Sequence, residues 1–312
     1  ILKDAGMPFS AVLTATVLVC FFSSIAMGLY ANNPIIVAPG MGINAFFTYT
    51  AVIGMGMSWQ AALGTVFWSG VIIMLLSFSH IRVHILRAVP HSVRMGLASG
   101  IGLFIALIGL ENSGFIIANK ATLISKAPLN AMTATFLAGL AVTIILVIKK
   151  VPASLILGII ITTLISIPIG RLWGDASAVN FGTPTLVTFN GIFAQPDFSL
   201  FMSMDFLGAL KFSAIGVIFT FVFVDMFDSI STFMGIAEAG NLLDKDGQPR
   251  NVKQSLIADG FSSVISGVLG TSAGTAYIES ATGIREGGRT GLTAVVGGLL
   301  FLPCMFFSPL LS

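Results

Sequence analysis

Charge is what this chain has least of. Asp, Glu, Lys and Arg make up 9% of its 312 residues, against about 25% in a soluble domain. That scarcity excludes an ordinary water-exposed globule. Cysteine is almost absent: Cys20 and Cys304 lie far apart, each in an apolar run. Neither a disulfide framework nor a metal-ligand spacing exists, and both read as packing residues. No basic stretch is dense enough to track phosphates, and the net charge is only +2, so a nucleic-acid partner is excluded. A cleavable leader is missing as well. The chain opens "ILKDAGMPFS", without a Met and without a basic n-region, and closes inside an apolar run, "FLPCMFFSPLLS". Both ends read as cut, and the chain is expected to be part of a longer protein.

What is there is hydrophobic. Apolar residues make up 55% of the chain and the mean hydropathy is +0.98. Runs of about 20 apolar residues recur, the length that spans a hydrocarbon core. The fold class is therefore an all-α polytopic membrane protein whose partner is the lipid bilayer. Segments are predicted at about 10–30, 34–54, 58–78, 95–113, 129–148, 152–170, 208–238, 254–270, 273–285 and 290–312, with an eleventh lost before "ILKD".

The sparse positive charges orient these segments. Arg82, Arg87 and Arg94 fall in one loop, Lys149 and Lys150 in a second, Lys245, Arg250 and Lys253 in a third, and Arg285 and Arg289 in a fourth. All four loops lie on one side by segment count, which the positive-inside rule makes cytoplasmic. The loops 111–130 and 171–207 then face outward. His80, His84 and His91 share the first basic loop without carboxylate or Cys neighbours. They read as a solvated face at headgroup level, not a metal site. Lys211 reads as a snorkelling residue at the outer end of its helix.

Two segments are irregular. "PIIVAPGMGINAFFTYTAVIG" (34–54) opens with Pro34 and β-branched residues, breaks at Pro39-Gly40 and Gly42, and only then becomes helical. "AGTAYIESATGIR" (273–285) likewise starts with small, strand-tolerant residues and turns helical near Glu279. Matched Gly- or Pro-interrupted spans in two halves are the strongest sequence pointer to a transporter binding site. The segment count runs them in opposite directions, so the halves are inverted. Extended backbone at membrane depth must be paired or buried, because lipid satisfies neither N–H nor C=O. The two half-strands are expected to pair near the midplane. Asn44 and Glu279 then occupy the first turns of the two half-helices, whose N-termini aim at the same place.

The run "FVFVDMFDSISTF" (221–233) places Asp225 and Asp228 three residues apart on one helical face. Each costs roughly 2.5–3.5 kcal/mol at a membrane-helix centre, so a ligand contact or proton relay is the reading. Their face is expected to continue through Ser231 and Thr232. Glu279 is the third carboxylate. Asp259 reads as interfacial or capping, one turn inside its helix.

Four motifs carry a resemblance: "ANNPIIVAPGMGINAFFTY", "FVDMFDSISTFMGIAEAG", "GTSAGTAYIESATGI" and "GGRTGLTAVVGG". Together the chain resembles the nucleobase–cation symporters, specifically the AzgA-like purine permeases. The resemblance implies fourteen segments in a seven-plus-seven inverted repeat, with a core and a gate domain. The third and tenth segments are short strand-plus-helix units. Residues 1–170 would be the first repeat, 171–207 an external connecting loop and 208–312 the start of the second. It also implies a multi-pass protein of the cell (inner) membrane that carries adenine, guanine or hypoxanthine, with no enzyme activity and no cofactor beyond a coupling proton. Carried onto this chain, Asp228 and Glu279 hold the base, and Asn44 with Gly42 forms the opposite pole. A homodimer fits relatives of the fold.

The mechanism expected from these residues is proton symport with alternating access. A carboxylate accepts purine N–H groups, and charge-assisted hydrogen bonds in a dry cleft are strong ones. Burial penalises the ionised form, which makes Glu279, Asp228 and Asp225 the candidate proton carriers. Phe46, Phe47 and Tyr277 are placed to sandwich the ring. Two other readings compete. An anion carrier or channel on the same scaffold would not favour carboxylates in its cleft. An intramembrane aspartyl protease needs two Asp from different helices, and no second-helix partner is evident in the sequence.

Overall fold

The computed structural model describes residues 1–78, 91–119, 122–126, 129–151, 153–173, 178–180, 183–185, 191, 193–240, 242–243 and 249–307. Its backbone divides into two compact units. One joins Ile1–Ile101 to Phe193–Ser312, and the other is Gly102–Ile192.

In the first unit, α1 (Phe9–Tyr30) is a single apolar span. It stops at Ala31, followed by Asn32 at φ 48° and Pro34, which cannot continue a helix. Ile35, Ile36 and Val37 are β-branched and favour extended backbone, and β1 covers Val37–Pro39. Gly40 then caps α2 (Met41–Ala45), which widens into a π-helix over Phe46–Gly54. The helix α3 (Trp59–Phe78) completes the first half of the unit, and α4 (His91–Asn112) begins here and passes into the second unit. The chain returns to the first unit as α7 (Phe212–Gly240), α8 (Val252–Leu269), β6 (Gly274–Ala276), α9 (Ser280–Arg285) and α10 (Gly291–Phe301). These elements follow the spans read from the sequence to within a few residues. His80 and His84 lie outside the described residues.

The half-strands find each other. β1 and β6 pair antiparallel, with Val37 opposite Ala276, Ala38 opposite Thr275 and Pro39 opposite Gly274. The ladder extends at both ends, from Gly40 N to Ala273 O at 3.3 Å and from Tyr277 N to Ile36 O at 2.9 Å. Side chains satisfy the outer edge. The Ser24 hydroxyl accepts from Val37 N at 3.2 Å, and Ser280 Oγ accepts from Ile36 N at 3.0 Å. Both strands are fully buried, so this accounting is what lets non-helical backbone exist there.

Glycine brings the supporting helices close. At the α3–α8 crossing, a Cβ on Gly70 would sit 2.5 Å from Val264 N. At the α1–α10 crossing, one on Gly291 would sit 1.9 Å from Gly28 O. Small residues let membrane helices approach in this way. Phe47, Leu63, Val66 and Phe221 pack one core, and Met27, Val37, Phe227, Ile230 and Ile284 another. A polar clasp ties the turns around β1 to α8. Arg250 donates to Asn32 O at 2.7 Å and Arg289 O at 3.0 Å, while Asn33 Nδ2 donates to Ser255 Oγ at 2.7 Å.

The second unit contains a hairpin the sequence reading took as plain loop: β2 (Ile116–Asn119) against β3 (Leu123–Lys126). Its helices are α5 (Ala131–Ile148), opened by an Asn130–Thr133 capping box, and α6 (Ser154–Trp173). β4 (Ala178–Asn180) and β5 (Thr183–Thr185) form a further short hairpin, inside the stretch read as connecting loop. Ile144, Ile145, Ile148, Leu155, Ile156 and Ile159 of α5 and α6 are exposed, as lipid-facing residues are.

Candidate functional site

The paired strands put two helix starts beside the middle of α7. Asp228 lies there, half-buried, and its Oδ2 accepts from Thr275 Oγ1 of β6 at 3.3 Å. Glu279 stands at the N-cap of α9, exposed on the surface of its unit. Its helix packs against α7, which sets it beside the element that carries Asp228. Tyr277 lies between strand and helix, two residues before Glu279. Its hydroxyl donates to Pro39 O at 2.6 Å, which locks the ring across the strand pair. Asp228, Glu279 and Tyr277 therefore converge from two stretches far apart in sequence.

The α2 side supplies the opposite wall. Gly42 and Asn44 are half-buried in α2, and Asn44 Oδ1 accepts from the Ser272 hydroxyl just before β6. Phe46 meets Phe221 of α7 edge-on, with ring centroids 5.0 Å apart. Phe47 departs from the expectation of a ring-stacking residue. It is fully buried in the core, because the π-helical turn sends it inward while Phe46 stays half-exposed.

Asp225 does not reach the cleft. It is fully buried, and its Oδ2 accepts from Ser263 of α8 at 2.7 Å. One turn of α7 is enough to carry it behind the strand pair. Ser229, not Ser231, joins this inner face, donating to Asp259 Oδ2 at 2.6 Å and meeting Thr275 Oγ1 at 2.9 Å.

Two sequence readings of Asp259 are overturned. It is neither interfacial nor capping: it is fully buried within α8. It also supplies the second-helix aspartate that the sequence did not reveal: Asp259 accepts from Ser229 of α7 and Asp225 accepts from Ser263 of α8, so the two acids lie across the same helix contact. The reason is that α8 is central, packed by α1, α3, α7 and β6. The signal was its unusual polarity for a span: Ser255, Ser262, Ser263 and Ser266 leave little face for lipid. Thr275, Ser229 and Ser263 were not singled out by the sequence, because hydroxyl residues are common in membrane helices and only contacts distinguish these.

Comparison with known proteins places this arrangement. Residues 1–312 match the Permease family throughout. Adenine permease AdeP of Escherichia coli is 41% identical over 313 residues, spanning 99% of this chain and 67% of its own length. Guanine/hypoxanthine permease PbuO of Bacillus subtilis is 35% identical over 315 residues, spanning 100% of this chain and 71% of its own. Among solved structures, the transmembrane domain of a cyanobacterium bicarbonate transporter, BicA, superposes with a TM-score of 0.66 at 18% identity, covering 99% of this chain and 78% of that one. SLC26A9 gives 0.59 at 12% identity, covering 99% and 54%. At those identities the likeness is one of fold. A helical membrane fold with a buried strand pair, matched in sequence from end to end, makes this chain a member of the Permease family.

Proposed function

We propose that the chain transports purine nucleobases across the membrane, with the base held between Asp228, Glu279 and the α2 wall. The observation that carries this is the convergence of Asp228 and Glu279 beside Tyr277 where α9 packs on α7. Among the described residues, Asp228 accepts a hydrogen bond from Thr275, which leaves its remaining lone pairs for a ligand. A purine offers planar N–H donors that such oxygens accept. Several relatives are named for purines: adenine for AdeP, guanine and hypoxanthine for PbuO. Asn44 and Gly42 form the second pole, and Phe46 and Tyr277 contact the ring.

Coupling to protons follows from the same acids. A base N–H is a good match for an ionised carboxylate, and a proton delivered with the base neutralises the cleft before it changes sides. Proton symport with alternating access is the mechanism we adopt, in the cell (inner) membrane and with a homodimer as the assembly. A seven-plus-seven inverted repeat, divided at 1–170 and 208–312 about the loop 171–207, is supported by mirrored packing. α1 of the first repeat crosses α10 of the second, and α8 of the second crosses α3 of the first, each with glycine at the closest point.

An anion carrier on this scaffold is disfavoured because Asp228 and Glu279 would repel its cargo. A protease reading gains a dyad from different helices in Asp225 and Asp259, but no peptide reaches atoms so fully buried. The chain is a transporter by family and not an enzyme. Uptake of labelled hypoxanthine, competed by unlabelled adenine, guanine, uracil and sulfate, tests the proposal. Competition by purines and none by sulfate is expected; sulfate competition without purine competition would transfer the site to anions.

A further inference from the structure

Four oxygen-bearing groups stand in a line from the cleft to the centre of the first unit: Asp228, Thr275, Ser229 and Asp259. Thr275 Oγ1 is 3.3 Å from Asp228 Oδ2, Ser229 Oγ is 2.9 Å from Thr275 Oγ1, and Ser229 Oγ is 2.6 Å from Asp259 Oδ2. Three contacts need three protons. The two hydroxyls bring one each, and an ionised carboxylate brings none. One of the two end acids must therefore carry a proton for all three contacts to be hydrogen bonds at once. Otherwise two oxygen lone pairs face each other where Ser229 and Asp259 are fully buried and Thr275 is 1% exposed.

A second observation points the same way. Oδ1 of Asp259 and Oδ1 of Asp225 are both buried without a donor, and the reciprocal bonds from Ser229 and Ser263 set the two carboxyls across one helix contact. Facing acids in a dry site do not both ionise. The other titratable groups on the elements packed here are few. α7 brings Asp228 and, near its end, Glu238 besides Asp225, α8 brings Lys253 in its first turn, the β6–α9 junction brings Tyr277 and Glu279, and α1 brings Cys20 and, at its exposed end, Tyr30. α3 and β1 bring none.

We infer that Asp259 is an internal proton holder joined to the cleft acid Asp228 by a two-hydroxyl wire through Ser229 and Thr275. In one arrangement Asp259 holds the proton and donates to Ser229, Ser229 donates to Thr275, and Thr275 donates to an ionised Asp228. In the other, every donor reverses and Asp228 is the protonated acid. Passing between them breaks three O–H bonds and forms three. One proton moves in net, both hydroxyls are regenerated, and no charge leaves the site. Only the first arrangement leaves Asp228 as a full acceptor for ligand N–H groups. Base binding therefore draws the proton inward, and release of the base lets it return. This role rests on Asp228 being the base contact. Asp259 touches no ligand and acts by positioning a proton.

The test uses the purified full chain with carboxyl-labelled aspartate and infrared difference spectra on adding adenine, guanine or hypoxanthine. Wild type should show a protonated-aspartate carbonyl band that shifts when the base binds. In Asp259→Asn the band should be lost from the base-bound state, where Asp228 is ionised, and in Ser229→Ala it should remain but no longer shift. Ser229→Ala should still bind the base while losing the wild-type dependence of Kd on pH. An aspartate band that persists in base-bound Asp259→Asn, or an unaltered pH profile in Ser229→Ala, overturns the wire. Should Asp259→Asn fail to fold, Ser229→Ala and Thr275→Val give the same decision. Wild-type affinity in Asp228→Asn would instead remove the base contact, and the unliganded band would still report on the inner proton.

Discussion

At the scale of single residues, surroundings separate three acids that lie in similar apolar runs. Asp228 keeps one face open, Glu279 is exposed beside it, and Asp225 is sealed against Ser263. We predict that Asp228→Asn and Glu279→Gln each abolish uptake of a labelled purine, while the amount of protein in the membrane stays at the wild-type level. Both substitutions preserve shape and remove a charge-assisted acceptor. Proton-coupled accumulation by both variants would remove the site. Asp228 and Glu279 were readable because a carboxylate in an apolar run is costly and rare. The division of labour between Asp225 and Asp228 was implied by the family resemblance alone, and spacing did not show it. Residues three apart share a helix face, and only the neighbouring strand decides which of them is covered.

At the scale of elements, the strand pair is what the rest supports. Its closest neighbour is α8: a Cβ on Gly274 would fall 1.9 Å from Ser262 Oγ. Ser262 is itself held by Ser23 of α1 at 2.8 Å, so it has little freedom to retreat. Gly274→Val is expected to destabilise the fold by about 1–3 kcal/mol or more through overpacking, read as a lower thermal midpoint in detergent. Gly100→Ala, where nothing lies within 4 Å, is expected to be neutral or to stabilise its helix by up to about 1 kcal/mol. Equal midpoints for the two variants would mean that β6 does not seat on α8. The broken segments 34–54 and 273–285 announced themselves through Pro39, Gly40 and the β-branched run ahead of them. The strand pairs β2–β3 and β4–β5 did not, because three- and four-residue strands are too short to show an alternating pattern.

At the scale of the whole molecule, the compact units cut across the proposed repeats. Residues 1–101 and 193–312 belong together, because the first half's strand must pair with the second half's. Transport by symport predicts that a protonophore abolishes accumulation of labelled purine in intact cells or vesicles, while exchange of labelled for unlabelled purine continues. Replacing sodium should change neither. Accumulation that survives the protonophore and fails without sodium would assign the coupling to a different cation. Composition alone determined that this chain lives in a membrane, where its interrupted spans lie and which acids are costly enough to need a reason, since the bilayer penalises each unpaired polar group locally. Only the tertiary structure decided that Asp259 and Asp225 are buried across one helix contact, that Phe47 packs while Phe46 stays half-exposed, and that Thr275 and Ser229 bridge two acids. Those outcomes depend on contacts between stretches tens to hundreds of residues apart, and a local energetic rule carries no information about which distant group arrives.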